Sequence, residues 1–71
     1  MSERWSPRSI KRLRRAYGEL QSVFCVRVGV SVDGLRHWEQ GKGEPSGSAK
    51  LLLDRLAEDL AADEVRELER V

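Results

Sequence analysis

Three glycines, Gly18, Gly29 and Gly41, punctuate the first part of the chain and leave room between them for no more than about three helical turns at a time. The most constrained stretch runs from Gly29 to Gly41: Gly-Val-Ser-Val-Asp-Gly-Leu-Arg-His-Trp-Glu-Gln-Gly. Glycine takes the left-handed conformation that closes a helix, and a serine hydroxyl caps the start of the next one. The stretch therefore reads as a sharp turn at Gly29, a short helix capped by Ser31, and a stop at Gly41. Within it Val32, Leu35, Trp38 and Glu39 share one face at helical spacing, while Asp33, Arg36, His37 and Gln40 fall elsewhere on the cylinder. A two-turn helix is not stable alone, so other elements must hold it by its Trp38 side. Its polar side is left to meet a partner.

The flanking segments supply those elements. Ser6-Pro7 opens a first helix, with Ser6 as cap and Pro7 at a position where a missing N–H costs nothing. That helix runs to about Tyr17, with Ile10, Leu13 and Tyr17 as its buried stripe and Arg8, Lys11, Arg12 and Arg15 outside. Trp5, just before the cap, is expected to fold back onto the bundle. A second helix covers roughly Gln21 to Val28. Its valines suit a strand, but a lone strand flanked by helices in so short a chain has no partner. Phe24 and Val28 are expected inside, Cys25 at the crossing with the third helix, and Val23 or Val26 more exposed than valine usually is. After Gly41 comes a loop, Lys-Gly-Glu-Pro-Ser-Gly, whose Ser46 caps a fourth helix beginning near Gly47. Ala49, Leu52, Leu53, Leu56, Ala57 and Leu60 recur at three- and four-residue intervals as one long apolar stripe. The tail, 61–71, carries Val65 and Leu68 among charged residues. It either continues the fourth helix or forms a fifth one capped by Asp63, and it serves as a self-association seam or partner-binding helix, or frays. The fold class expected is all-α, four to five helices in a single domain, with its core in about 6–60.

At 71 residues the chain has room for one small core; domains of this size bury only about 60% of their unfolded surface. A hydrophobic fraction of 39% and a charged fraction of 35% fit a helix-rich bundle and not a disordered chain. The net charge is only +1, yet 1–18 holds six basic groups against one acid, and 46–71 holds seven acids against four basic groups. A polyanion would meet the amino-terminal half and be repelled by the other. A single cysteine excludes an internal disulfide, and among Val23, Phe24, Val26 and Val28 it reads as a small buried thiol. No signal peptide or membrane-length apolar run is apparent, which points to a reducing cytoplasm. One histidine, one cysteine and no ligand-spaced cluster leave nothing from which catalysis could be built. Neither an enzyme, a cofactor nor a metal is expected.

Two short helices around a Gly-Val-Ser turn, the second presenting a polar face, form the pattern of a helix-turn-helix. The chain resembles the phage-repressor, or xenobiotic-response-element, helix-turn-helix family, and within it the small HigA-like antitoxins. The resemblance rests on Ile10–Arg15 (Ile-Lys-Arg-Leu-Arg-Arg), Gln21 with Phe24, Gly29-Val30-Ser31, Trp38-Glu39-Gln40-Gly41, and Pro45-Ser46-Gly47 leading into Leu51-Leu52-Leu53. Its most specific part is the Gly-Val-Ser…Trp-Glu-Gln-Gly pair, and the whole covers roughly 8–56. A lambda-repressor-like domain is implied. So are roles for individual residues: Gln21 to reach a phosphate, and Val32, Asp33, Arg36 and His37 to face the major groove. Arg36 suits a guanine edge, His37 a base acceptor or phosphate, and Val32 a thymine methyl. Ser31 and the N–H groups beside it suit a phosphate, as does Lys42 in the following loop. Arg14 and Glu39 match a pair that bridges the first and third helices, while Phe24, Gly29 and Trp38 build the motif itself. Three residues depart from the family pattern: Leu20 where a capping serine, threonine or asparagine stands, Gly34 inside the reading helix, and Asp33, an acid facing a polyanion.

The function implied is a sequence-specific DNA-binding transcriptional repressor. It would bind a palindromic duplex operator as a homodimer, in the cytoplasm on the nucleoid, as the antitoxin of a type II toxin-antitoxin operon that silences its own promoter and meets a cognate toxin. Two alternatives stay open. One is a phage or mobile-element repressor without a toxin; the other is a protein-interaction module that keeps the fold with weak DNA affinity.

Overall fold

In the computed structural model, which describes residues 4–69 and the side chains of 4–66, four helices follow one another: α1 (Pro7–Ala16), α2 (Gln21–Val28), α3 (Val32–Glu39) and α4 (Gly47–Glu69). The described residues hold no strand, so the valines of α2 follow their neighbours and not their propensity. Each boundary has a local cause. Ser6 Oγ accepts from the Ser9 N–H at 3.2 Å, and Ser9 Oγ accepts from the Ser6 N–H at 2.7 Å, a reciprocal cap with Pro7 at the first helical position. Gly29 closes α2 at φ 74°, in the left-handed region that glycine enters without steric cost. Ser31 Oγ accepts from the Gly34 N–H at 3.1 Å and caps α3, and Ser46 Oγ accepts from the Ala49 N–H at 3.2 Å and caps α4. Only α2 starts without a side-chain cap, because Leu20 offers no acceptor.

α4 is one continuous helix of 23 residues; Asp63 lies within it and begins no fifth helix. Ala61, Ala62 and Glu64 around it are strong helix formers, and no glycine or proline interrupts them. The Leu68 side chain and Arg70 lie outside the described residues. A radius of gyration of 12.8 Å exceeds the roughly 11 Å of a compact chain of this length. α4 accounts for this: it spans about 34 Å, and 61–66 are all exposed beyond the core.

The core is a single cluster of Trp5, Ile10, Leu13, Phe24, Cys25, Val28, Leu35, Trp38, Ala49 and Leu53. α3 packs on both α1 and α2, and α2 packs on α4, so every element holds the short third helix directly or at one remove. Trp5 folds back as the sequence predicts, and its indole N–H donates to Asp54 Oδ1 on α4 at 2.7 Å. Tyr17 is half-buried, and its hydroxyl donates to the Leu56 carbonyl at 2.6 Å. Burial there pushes the phenol up from its ordinary range, helped by Asp59. Val23 and Val26 are both exposed. Leu52, expected inside as part of the apolar stripe, is exposed too, and Leu53 occupies the buried position.

Candidate nucleic-acid interface

Among the described residues, Glu39 is the one charged residue in the core, 7% exposed, at the end of α3. An acid is taken out of water there only because three donors meet it. Arg14 on α1 forks onto it, Nε donating to Oε2 at 2.8 Å and Nη2 to Oε1 at 3.0 Å; Gln21, the first residue of α2, donates from Nε2 to Oε1 at 3.2 Å. The remaining Arg14 Nη1 donates to the Glu19 carbonyl at 2.9 Å in the α1–α2 connection. Burial pushes the Glu39 carboxyl up, but the hydrogen bonds from Arg14 and Gln21, with the charges of Arg14 and Lys11, outweigh it and hold the group below its ordinary range. The same hydrogen bond raises Arg14. The network thus ties the start of α2 and the end of α3 to α1, and no buried side-chain polar atom among the described residues is without a partner.

The network extends outward. Arg27 donates from Nε and Nη2 to the two Glu19 oxygens at 2.7 and 2.8 Å and lies over the Tyr17 ring, 4.7 Å from its centre. Its hydrogen bond lowers the Glu19 carboxyl. The connection between α1 and α2 is therefore held by side chains from both.

With Leu35, Trp38 and Glu39 turned inward, α3 presents Asp33, Arg36 and His37 to solvent. Arg36 Nη1 donates to Asp33 Oδ1 at 3.2 Å, an ion pair open to water on both sides. Such a pair is worth little, so Arg36 is held loosely. Val32 is half-buried and packs against the core, which leaves only part of it outward. Gly34 has a local reason: a Cβ there would lie 3.3 Å from Ser31 Oγ, the atom that caps the helix. Lys42 is exposed in the loop after α3, its N–H donating to the His37 carbonyl at 2.8 Å.

An open groove beside this face is lined by Lys11, Arg14 and Arg15 of α1, Leu20, Gln21 and Ser22 at the start of α2, and Val32, Arg36 and Glu39 of α3. Lys11 and Arg15 also line a second groove, with Pro7, Arg8, Arg12 and Glu39. Among the described residues, Arg8, Lys11, Arg12 and Arg15 form no ion pair or side-chain hydrogen bond, whereas Arg4, Arg14, Arg27 and Arg36 are all paired. These four cations on one helix face have no ion-pair partner among the described residues, though the charge of Lys11 helps to lower Glu39.

The site residues expected from the sequence divide in two. Arg36, Val32 and Gln21 line the shared groove; Ser31, Asp33 and His37 stand on exposed α3 surface, and Lys42 follows in the loop. Arg14, Phe24, Gly29, Trp38 and Glu39 are structural, as their burial, pairing or φ requires. Gln21 is engaged with Glu39 and not held out to solvent. Lys11 and Arg15, which lie within the matching Ile10–Arg15 stretch but are given no role of their own there, join the groove; the excess of basic residues in 1–18 is the signal that points to them. Among the described residues, no helix is long and apolar enough to cross a membrane, and no cluster of three or more His, Cys, Asp or Glu could hold a metal ion. Comparison with protein-family models, curated proteins and solved structures finds no match to this chain. The class that fold and surface define is accordingly a small all-α chain with a basic groove beside a short, outward-facing polar helix.

Proposed function

We propose that this chain is a helix-turn-helix DNA-binding repressor of the lambda-repressor-like fold, with α2 and α3 as its motif and α3 as the reading helix. The observation that supports this most is the pair of cations Lys11 and Arg15 on α1, without ion-pair partners among the described residues, lining the same groove as Arg36. Cations without internal partners suit phosphates, which fix position, and the polar edge of α3 suits bases, which fix sequence. Arg36 is the residue for a guanine O6 and N7 edge, and its weak pair with Asp33 opens at small cost. Asp33, once released, accepts from a cytosine amine. The chain acts as a two-fold dimer on a palindromic operator with half-sites about one helical turn apart. Its resemblance to small antitoxins extends the proposal to an autoregulated toxin-antitoxin operon.

Footprinting on the DNA flanking its own gene, at two salt concentrations, tests the reading. Paired half-sites protected by the wild type and left open by the Arg36→Ala, His37→Ala double variant are the expected result. Absence of protection by folded protein at low salt would overturn it. A second reading, an interaction module with weak DNA affinity, draws on Leu20 and Val26, which are 72% and 75% exposed at the start and on the surface of α2. Strong, salt-dependent affinity for duplex DNA removes that alternative.

A further inference from the structure

α4 buries one apolar face in the core and carries a second row, of mixed apolar and charged residues, on its opposite side. Ala49 and Leu53 are buried, and Leu56, Ala57 and Leu60 pack against them. On the other side Leu51, Arg55, Glu58, Ala62 and Val65 recur at intervals of four and three, and all five are exposed, Leu51 by 69% and Val65 by 52%. Leu52 flanks this row and is exposed as well. Alternating steps of four and three are the spacing of a coiled-coil seam. Arg55 and Glu58, at its centre, form no ion pair or side-chain hydrogen bond among the described residues.

We infer that this face is closed by α4 of a second copy, running antiparallel about a two-fold axis midway between Arg55 and Glu58. The occupant rests on the dimer reading above; the register comes from the face itself. An isologous contact must be complementary to itself. In the antiparallel arrangement Arg55 meets the partner's Glu58 and Glu58 meets the partner's Arg55, giving two pairs at the centre. Leu51 then meets the partner's Ala62, and Val65 the partner's Ser48, large against small on both sides. A parallel pairing would set Arg55 against Arg55 and Glu58 against Glu58. A slip of one heptad either way places Arg55 opposite Leu51 or Val65 and leaves Glu58 opposite serine or alanine. Only one alignment joins both charges and fits both ends.

The test is sedimentation equilibrium across a concentration series without DNA, on the full chain, with helicity checked by circular dichroism. The wild type is expected to be a dimer. Arg55→Glu and Glu58→Arg each bring like charges together twice across the axis, and each should weaken self-association by roughly tenfold or more. The Arg55→Glu, Glu58→Arg double variant should restore it, as should an equimolar mixture of the two single variants, in which every pair is again opposite in sign. A monomeric wild type, single variants that dimerise undiminished, or failure of both rescues overturns the seam. Because no DNA is present, each of those results leaves the footprint of α3 to be judged separately.

Discussion

Glu39 concentrates what a single residue can do in so small a core. Because Arg14 and Gln21 hold its carboxyl below the ordinary value, the unfolded chain binds a proton more readily than the folded one as pH falls. Its contribution to stability is complete above the ordinary carboxylate pKa of 4.5 and is lost as pH drops through the depressed folded value. Glu19, lowered by Arg27, contributes in the same window with the same sign. Replacing Glu39 by Gln strands Arg14, 15% exposed, without its counter-ion. That change should cost roughly 3 kcal/mol near neutral pH, with the gap to wild type narrowing in acid. Urea titrations at about pH 7 and about pH 3 check both parts. Gly29 makes a contrasting case. A Cβ there meets nothing within 4 Å, so only the backbone at φ 74° opposes a side chain. Gly29→Ala should destabilise by about 1 kcal/mol in the same titration, without repacking of the core.

At the scale of elements, α1 performs two tasks on two faces. Ile10 and Leu13 anchor it to the core, Arg14 reaches α3, and Lys11 and Arg15 face the groove. If DNA binds as proposed, Lys11→Ala with Arg15→Ala should weaken binding alike on operator and random duplex. It should also reduce the slope of log affinity against log salt by about 2, near 0.9 for each phosphate no longer neutralised. Filter binding over a salt series measures this, and an unchanged slope would remove α1 from the interface. The helices themselves are largely legible in the sequence, because serine, proline and glycine stand at nearly every end. The length of α4 is not, since Asp63 can begin a helix or ride inside one, and only its helix-forming neighbours decide. The role of Gln21 is equally hidden: an amide at a helix start is ordinary until the fold brings Glu39 to it. The Asp33–Arg36 pair, by contrast, is legible at its i, i+3 spacing.

Considered whole, the molecule is polar in charge as well as in shape. Its basic residues gather on α1, its acids on the projecting α4, and a net charge of +1 conceals the separation. The hydrogen bonds from Trp5 to Asp54 and from Tyr17 to Leu56 tie the segments on either side of α1 to the middle of α4. Neither can be read from local pattern, because the partners lie 49 and 39 residues apart. Trp5 and Trp38 also line one cleft with Pro45, each 8% exposed. The chain therefore carries its own optical gauge. Emission from the two indoles shifts to the red when the cleft opens to water, and a Trp5→Phe chain would emit from α3 alone, timing the seating of that helix without any added label.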